Sequence, residues 1–156
     1  MIIVINIIVE DIMPFEKEHS VLSEYIRSKG LKQSEQRQKI LDIFLETEQH
    51  LTAEDLYNIV KKDIPSIGYA TIYRTLKLLA EAGLCRELQI ENGMTRYEHL
   101  YGHEHHDHLV CTGCGKLIEI YSEEIEALQE IIAKRHDFVL EKHRMELYGT
   151  CKDCRK

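Results

Sequence analysis

Apolar side chains recur every three to four positions through the first half of the chain, which predicts a series of amphipathic helices. The first helix is predicted to begin at Ser20 and to end at Gly30, and a second to follow an N-cap at Ser34. Thr52 with Asp55 three residues later resembles a capping box, in which each side chain accepts a backbone N–H of the first turn. This pair predicts the start of a third helix.

A fourth helix is predicted over 69–81, with Gly83 just beyond its end as a left-handed stop. The apolar stripe of this helix is predicted to be buried and consists of Ile72, Leu76, Leu79 and Ala80. Two short strands, 84–90 and 94–98, follow, and the Asn92-Gly93 pair between them is typical of a hairpin turn. Helices followed by a β-hairpin are the order of elements expected for a winged helix-turn-helix domain.

The pattern changes in the second half, where strands are predicted over 109–111 and 116–121. A helix capped by Ser122 is predicted over 123–135, and a final strand over 138–148. The chain is therefore predicted to be an α+β protein, with an N-terminal winged helix-turn-helix domain followed by a small α/β domain. The predicted divisions are an N-terminal extension, a DNA-binding domain, a hinge and a metal-binding domain, at 1–15, 16–90, 91–102 and 103–156.

Charge gives no support for nucleic-acid binding, because the net charge is −7 and both halves of the chain are acidic. Residues 1–88 carry 11 basic and 14 acidic side chains, and residues 89–156 carry 9 and 13. Any DNA-binding surface must therefore be local. The apolar run Met1–Val9 is too short to span a bilayer, which needs about 20 apolar residues. A cytoplasmic, reducing location is expected, where thiols favour metal over disulfide.

Two CxxC pairs, Cys111/Cys114 and Cys151/Cys154, predict a structural zinc site. Each pair presents two thiolates to one point, and zinc prefers four soft ligands in a tetrahedron. Gly113 and Gly115 permit the tight backbone of a zinc knuckle. Four protein ligands leave no open position, so a structural role is expected. The alternatives are four reduced structural cysteines or two disulfides, and the separate Cys85 is expected to be a small buried hydrophobe.

The run His103-Glu-His105-His106-Asp107-His108 predicts at least one further metal site. On an extended segment, side chains alternate in direction, so His106 and His108 share one face, and His105 and Asp107 share the other. One tetrapeptide can therefore supply ligands to two different sites. The alternatives are a solvated polar loop, a hydrogen-bonded buried histidine, or the metal centre of a hydrolase.

With these motifs in order, the chain resembles the ferric uptake regulator (Fur) family over roughly residues 21–155. Besides the two cysteine pairs, the motifs are Ala53-Glu-Asp-Leu-Tyr57, Tyr69-Ala-Thr-Ile-Tyr-Arg74, Tyr97-Glu98 and His105-His-Asp-His108. The resemblance implies a winged helix, a C-terminal dimerisation domain, a homodimer, and repression of metal-homeostasis genes when a divalent metal is bound. It also implies a transcription factor rather than an enzyme.

The resemblance also implies two regulatory metal sites. The sensory site would consist of His50, Glu98, His106, His108 and Glu119. The second regulatory site would consist of His105, Asp107, Glu126 and His143. Mixed imidazole and carboxylate ligands suit Fe(II), Mn(II) or Zn(II), in contrast to the cysteine site. Peroxide-sensing relatives tend to have Asp at the positions of Glu98 and Glu119, so the two glutamates favour an Fe(II) sensor.

The fourth helix is the predicted recognition helix, and its free face carries candidate DNA contacts. Tyr73 and Arg74 are the base-reading candidates, because a Tyr ring can contact a thymine methyl and Arg can donate two bonds to guanine. The candidates for phosphate contacts are Lys32, Arg37, Tyr69 and Lys77, of which Lys32 could also reach the minor groove. The expected partner is a pseudo-palindromic operator in double-stranded DNA.

Two other function classes remain open at this point. The first is a zinc, manganese, nickel or peroxide sensor on the same scaffold, since ligand type does not determine metal selectivity in the cell. The second is a metallohydrolase, which would need an open coordination position, a general base and a substrate cleft.

Overall fold

The computed structural model describes residues 15–47, 50–89, 93–102 and 105–155. The predicted N-terminal extension therefore lies outside the described residues, apart from Phe15. The chain divides into two compact units. The first comprises the described residues within Met1–Glu87 and Tyr97–Tyr101, and the second those within Leu88–Arg96 and Gly102–Lys156. None of the described helices combines the length and the apolar character needed to cross a bilayer.

The first unit contains four helices, α1 (Glu16–Ser28), α2 (Glu35–Glu46), α3 (Ala53–Asp63) and α4 (Tyr69–Glu81). The strands β1 (Leu51–Thr52), β2 (Cys85–Gln89) and β3 (Thr95–His99) form a sheet in the order β1-β3-β2. This unit has the helices and the β-hairpin predicted for a winged helix-turn-helix domain. The predicted α+β fold class is confirmed. Gly93 has φ +78 as the hairpin turn requires, whereas Asn92 lies outside the described residues.

Helix α1 begins at Glu16, four residues before the predicted start at Ser20. The apolar stripe on which the prediction was based starts only at Val21, so the pattern did not indicate the first turn of the helix. The added residues are mainly polar. The acidic side chains Glu16 and Glu18 lie in the first turn, where they interact favourably with the helix dipole, and the His19 ring contacts Asp42 of α2 at 2.5 Å.

The capping box at α3 is confirmed. The Asp55 backbone N–H donates to Thr52 Oγ1 at 3.0 Å, and the Thr52 N–H donates to Asp55 Oδ2 at 2.9 Å. Ser34 also occupies the predicted N-cap of α2, but its side chain makes no capping hydrogen bond. The two N-caps therefore differ in what the side chain contributes.

A buried apolar core holds α4 within the first unit. Its inward side chains Ile72, Leu76 and Leu79 are fully buried, while Ala80 is partly buried against the same core. Burial of each large apolar side chain contributes about 1.5–3 kcal/mol. Gly83 ends the helix with φ +74, as predicted, because a left-handed stop strains any residue with a Cβ. The opposite face of α4 is therefore held out toward solvent on a rigid support.

The second unit contains β4 (Asp107–Cys111), β5 (Leu117–Ile120), α5 (Glu123–Arg135) and β6 (Glu146–Gly149). The sheet order is β5-β4-β6, with β4 antiparallel to β5 and parallel to β6. Helix α5 has the predicted bounds, and the Ser122 hydroxyl accepts the Ile125 N–H at 3.4 Å. The pattern predicted this helix well because its cap and periodicity are local.

The predicted final strand over 138–148 is wrong for most of its length. Residues 138–145, all of which the structure describes, form no strand, and β6 occupies only Glu146–Gly149. The neighbouring strand β4 begins at Asp107 and is too short to pair with an 11-residue strand. Phe138 and Val139 are exposed, and Asp137 has a left-handed φ of 50. This irregular segment carries His143 toward the sheet.

The capping difference leads to a stability prediction. Thr52→Ala removes the side-chain half of the box and is expected to lower the free energy of unfolding by about 1 kcal/mol. Urea denaturation at fixed metal concentration measures this change. Ser34→Ala is the matched control, because that side chain makes no capping bond, and its loss should stay below about 0.5 kcal/mol. Equal losses in the two variants would contradict the prediction.

Candidate metal centres and DNA-binding face

The four paired cysteines converge at one end of the second sheet. Cys111 is the last residue of β4, and its register partner on the parallel strand β6 is Gly149. Because parallel neighbours run in the same direction, Cys114 and the pair Cys151/Cys154 follow from the same edge. The four Sγ atoms all lie within 4.8 Å of one another, and the sulfurs are free thiols rather than disulfides.

The spacing of the sulfurs suits a tetrahedral zinc ion. Cys114 Sγ and Cys151 Sγ are 3.7 Å apart, close to the edge of about 3.8 Å that Zn–S bonds of about 2.3 Å give in a tetrahedron. A Cβ added at Gly113 would lie 3.1 Å from Cys154 Sγ and 3.2 Å from Cys154 Cβ, so a larger residue there would press on the cluster. These residues could hold zinc with no open coordination position, which favours a structural role.

The thiols of this cluster differ in pKa because their hydrogen-bond partners differ. The backbone N–H groups of Cys151 and Cys114 lower the pKa of the Cys111 thiol to about 6, and the Cys151 N–H lies 3.2 Å from that sulfur. Interactions with Cys114, then Cys151 and Cys111, raise the pKa of Cys154 to about 12. Negative charge thus concentrates at Cys111 and repels further thiolates, and a divalent cation would remove this repulsion.

The second predicted set forms one compact cluster. The Nε2 atoms of His105 and His143 are 2.6 Å apart, and Glu126 Oε1 of α5 lies 3.5 and 3.3 Å from them. Asp107 completes the group, with Oδ1 at 3.9 Å from His105 Nε2 and Oδ2 at 3.8 Å from His143 Nε2. All four donors lie within 4.8 Å of one another. Two imidazoles with two carboxylates are a donor set for Fe(II), Mn(II) or Zn(II).

Asp107 anchors this cluster to the sheet. Its side chain is buried, and Oδ1 accepts the backbone N–H of Met145 at 3.0 Å. A buried carboxylate needs such hydrogen bonds or an opposite charge. The same hydrogen bond holds the irregular segment that carries His143. Asp107 therefore helps to position His143 as well as belonging to the cluster itself.

The sensory set predicted from the family resemblance falls into two parts, one in each unit. In the second unit, the rings of His106 and His108 lie with centroids 5.0 Å apart, and both side chains are buried. Glu119 of β5 is the register partner of His108, so the two side chains lie on the same face of the sheet. The alternation from 105 to 108 thus separates the two predicted sets within this unit.

In the first unit, His50 and Glu98 form the other part. His50 Nε2 lies 3.5 Å from Glu98 Oε1, and the Glu98 side chain is only 3% exposed. The opposite oxygen, Glu98 Oε2, is in ion-pair contact with Arg86 Nε at 3.2 Å. Sequence reasoning did not select Arg86. Its position on the strand that pairs with the strand of Glu98 is the signal that could have identified it.

His99, the neighbour of Glu98, packs against the core and is expected to have a structural role. Its ring packs edge-on against Phe44, with centroids 5.6 Å apart, on the core side of β3. Adjacent strand residues point in opposite directions, which explains why Glu98 and His99 differ in role.

Helix α4 carries four of the six predicted DNA contacts and exposes three of them. Tyr69 and Tyr73 are 48% and 44% exposed, and Arg74 is exposed as well. Between them, Ile72 is buried in the core. Lys77 differs from the rest, because its Nζ lies 2.8 and 2.9 Å from the two carboxylate oxygens of Glu87.

The other two predicted contacts, Lys32 and Arg37, lie at the start of α2. Lys32 is exposed, and Arg37 Nη1 donates to the Lys32 backbone carbonyl at 2.9 Å. Arg37 therefore orders the segment that presents Lys32, besides carrying a charge of its own.

A winged-helix unit with an exposed aromatic and basic helix face, in one chain with clusters of metal-ligating side chains, is the arrangement of a metal-responsive DNA-binding regulator. The sequence pattern described as Ferric uptake regulator family matches residues 28–148. The chain belongs to this family, whose members are metal-responsive transcription factors and not enzymes, and act as dimeric, DNA-binding repressors.

The relatives extend over nearly the whole chain. The ferric uptake regulation protein of Campylobacter upsaliensis is 41% identical over 143 residues, which cover 88% of this chain and 91% of that protein. The structure of the Helicobacter pylori ferric uptake regulator, described as revealing three functional metal binding sites, matches with TM-score 0.78 and 30% identity, covering 91% and 94% of the two chains. A zinc-bound manganese uptake regulator matches with TM-score 0.61 and 42% identity, covering 84% and 98%.

The glycine beside the cysteines leads to a metal-affinity prediction. Gly113→Ala places a methyl group against Cys154 and is expected to weaken zinc binding by about 1–3 kcal/mol, the usual cost of overpacking. Competition with a chromogenic chelator measures the affinity. Gly149→Ala is the matched control, since an added Cβ there meets nothing within 4 Å. Unchanged zinc affinity in Gly113→Ala would refute this account of the cluster.

Proposed function

We propose that this chain is a homodimeric repressor that senses Fe(II) and binds the operators of metal-homeostasis genes. The observation that carries the proposal is the division of the sensory ligands between the two units. His50 and Glu98 lie in the winged-helix unit, and His106, His108 and Glu119 lie in the other. One cation bound by both groups would determine how the two units are arranged.

The buried carboxylate of Glu98 is expected to be a central metal ligand of this switch. Its two oxygens contact His50 and Arg86, so Arg86 supplies positive charge to one side of the group. A divalent cation on the His50 side would offset the cost of keeping the carboxylate buried. Arg86 is therefore expected to act as a positioning residue for a metal ligand.

The metal can act as a switch only if it binds one arrangement of the units more tightly than the other. In a dimer, the arrangement sets the spacing of two recognition helices. Half-sites on DNA lie about 34 Å apart, or a multiple of this distance. A metal that stabilises this spacing raises operator affinity by its differential affinity for the two states.

Iron is the proposed physiological metal. Glutamate rather than aspartate at positions 98 and 119, and the ferric uptake regulation relatives, support this choice. Manganese, zinc, nickel and peroxide sensing are the alternatives, since a manganese uptake regulator is equally similar in sequence. The cluster of His105, Asp107, Glu126 and His143 is proposed as a second regulatory site, and the four cysteines as a structural zinc site.

DNA recognition is proposed for the exposed face of α4. Tyr73 and Arg74 would contact base edges, and Tyr69 would contact phosphate beside them. Lys32, Arg37 and Lys77 would add phosphate contacts from the flanks. A localised cationic surface of this kind would allow DNA binding by a chain whose net charge is −7.

Apolar exposure in the second unit supports homodimerisation. Leu128, Ile131 and Ile132 of α5 are 56%, 43% and 55% exposed, and their spacing places them on one helix face. Ile118 and Leu147 on the sheet are exposed as well. Exposed apolar side chains in such number are typical of interaction surfaces, and a cytoplasmic homodimer would cover them.

The decisive experiment is anaerobic DNA binding with and without metal. The Mn(II)-loaded protein, as a stable surrogate for the Fe(II) form, is used to enrich a duplex from a random-sequence pool, here called the selected duplex. Its affinity is expected to be at least tenfold higher with Fe(II) or Mn(II) than with chelator. Equal affinity in the two conditions would exclude a metal-dependent repressor.

Side-chain alternation leads to a prediction that separates the two regulatory sets. His106→Ala is expected to lower the metal-dependent affinity for the selected duplex at least tenfold, the scale on which metal-site changes act. His105→Ala removes the adjacent imidazole from the other cluster and is expected to have the smaller effect. Metal analysis should show unchanged zinc in both proteins. A larger loss in His105→Ala would reverse the assignment of the two sites.

A charge on the apolar face of α5 tests the dimer. Ile131→Glu is expected to dissociate the protein, because dimerisation would have to bury the new carboxylate. Sedimentation velocity should then show a mass near that of the single 18.3 kDa chain. Asn58→Glu adds the same charge at an exposed position of α3 in the first unit and should remain dimeric. A dimer that persists in Ile131→Glu would place the interface elsewhere.

A further inference from the structure

Lys77 and Glu87 form an ion pair at the edge of the proposed DNA-binding face. The Lys77 ammonium on α4 donates to both Glu87 oxygens on β2, at 2.8 and 2.9 Å. It also lies 5.7 Å from the centroid of the Tyr73 ring. Lys77 follows Tyr73 by four residues and Arg74 by three, so the three side chains are neighbours on the helix surface.

The negative charge of Glu87 acts at short range on this part of the unit. Its hydrogen bond to the ammonium is the largest of the effects that raise the pKa of Lys77. The pKa of the Tyr97 hydroxyl is raised to about 12, first by burial and then by the charge of Glu87. In the free protein, the carboxylate therefore offsets the cationic charge that a DNA backbone would otherwise meet at Lys77.

We propose that Glu87 competes with a DNA phosphate for Lys77, and thereby sets both the affinity for DNA and its dependence on salt. The inference rests on the proposed DNA-binding function. In the free protein the ammonium binds the carboxylate. In the complex a backbone phosphate takes the place of the carboxylate, and Glu87 returns to solvent.

The exchange is expected to cost little free energy, because both side chains of the ion pair are partly exposed to solvent. The two side chains are 39% and 25% exposed, and ion pairs that retain this much solvent are weak. Loss of the competing carboxylate is therefore expected to tighten DNA binding by roughly twofold to fivefold. The salt dependence should become steeper by up to about 0.9 in the log–log slope, the value for one phosphate contact. The released Glu87 of the natural chain attracts cations again, which reduces that slope.

A double-mutant cycle tests the competition. Affinities of the unmodified chain, Glu87→Gln, Lys77→Gln and the double variant are measured in their Mn(II)-loaded form across a salt series. The probes are the selected duplex and a mixed-sequence duplex, because a phosphate contact is independent of base sequence. Glu24→Gln is the charge control, since it removes an exposed acidic group from α1 of the same unit.

The expected result is a tighter, more salt-dependent complex for Glu87→Gln on both probes, and no such gain when Lys77 is already Gln. An equal gain in the Lys77→Gln background, or in Glu24→Gln, would show general charge repulsion and overturn the proposal. Unchanged or weaker binding by Glu87→Gln would also overturn it, because the pair would then only tether α4 to β2. Failure of the unmodified chain to bind either duplex would instead refute the proposed function itself.

Discussion

The period of two along residues 105–108 is the constraint on which the metal chemistry of the second unit depends. Because neighbouring side chains of an extended segment point in opposite directions, His105 and Asp107 join Glu126 and His143, whereas His106 and His108 lie together on the other side. Two different metal sites can then share four consecutive residues. A shift of one residue in the register of β4 would exchange the two ligand sets, so the pairing of β4 with β5 and β6 is a chemical constraint as well as a structural one.

The second unit buries few apolar side chains, and bound metal would add to its stability. The first unit buries a cluster of 17 apolar residues, while Leu88, Val110, Cys111 and Ala133 are the buried apolar residues described in the second. So small a core contributes little stability, and units of this kind depend on metals or on oligomerisation. The four cysteines and the exposed apolar face of α5 are consistent with both. In this arrangement a metal held by the four cysteines would link strands whose own packing is thin, and the parallel pairing of β4 with β6 brings the four thiols to one place.

The proposed DNA-binding face on α4 is supported by a larger core. Its helix is anchored by fully buried side chains, so Tyr73 and Arg74 project from a rigid support. Rigid placement suits base recognition, because contacts made by a preorganised surface lose little entropy on binding. Under the proposal, DNA affinity then depends on weak, screened interactions around that surface, of which Lys77 with Glu87 is one. An acidic protein can in this way bind a polyanion while its phosphate contacts remain adjustable by single charges.

Features whose physical cause is local could be predicted from the order of amino acids. The bounds of α4 and α5, the capping box of Thr52 and Asp55, and the two cysteine pairs each follow from residues a few positions apart, and the family motifs follow from their order. Contacts between distant segments decided the rest. In the early part of α1 the His19 ring contacts Asp42 of α2, and the predicted last strand shortens to β6 because β4 offers no further partners. Glu87 beside Lys77 was also beyond prediction, since a strand residue meets a helix residue only when the chain is folded, whereas the predicted hairpin could have indicated Arg86 as a neighbour of Glu98.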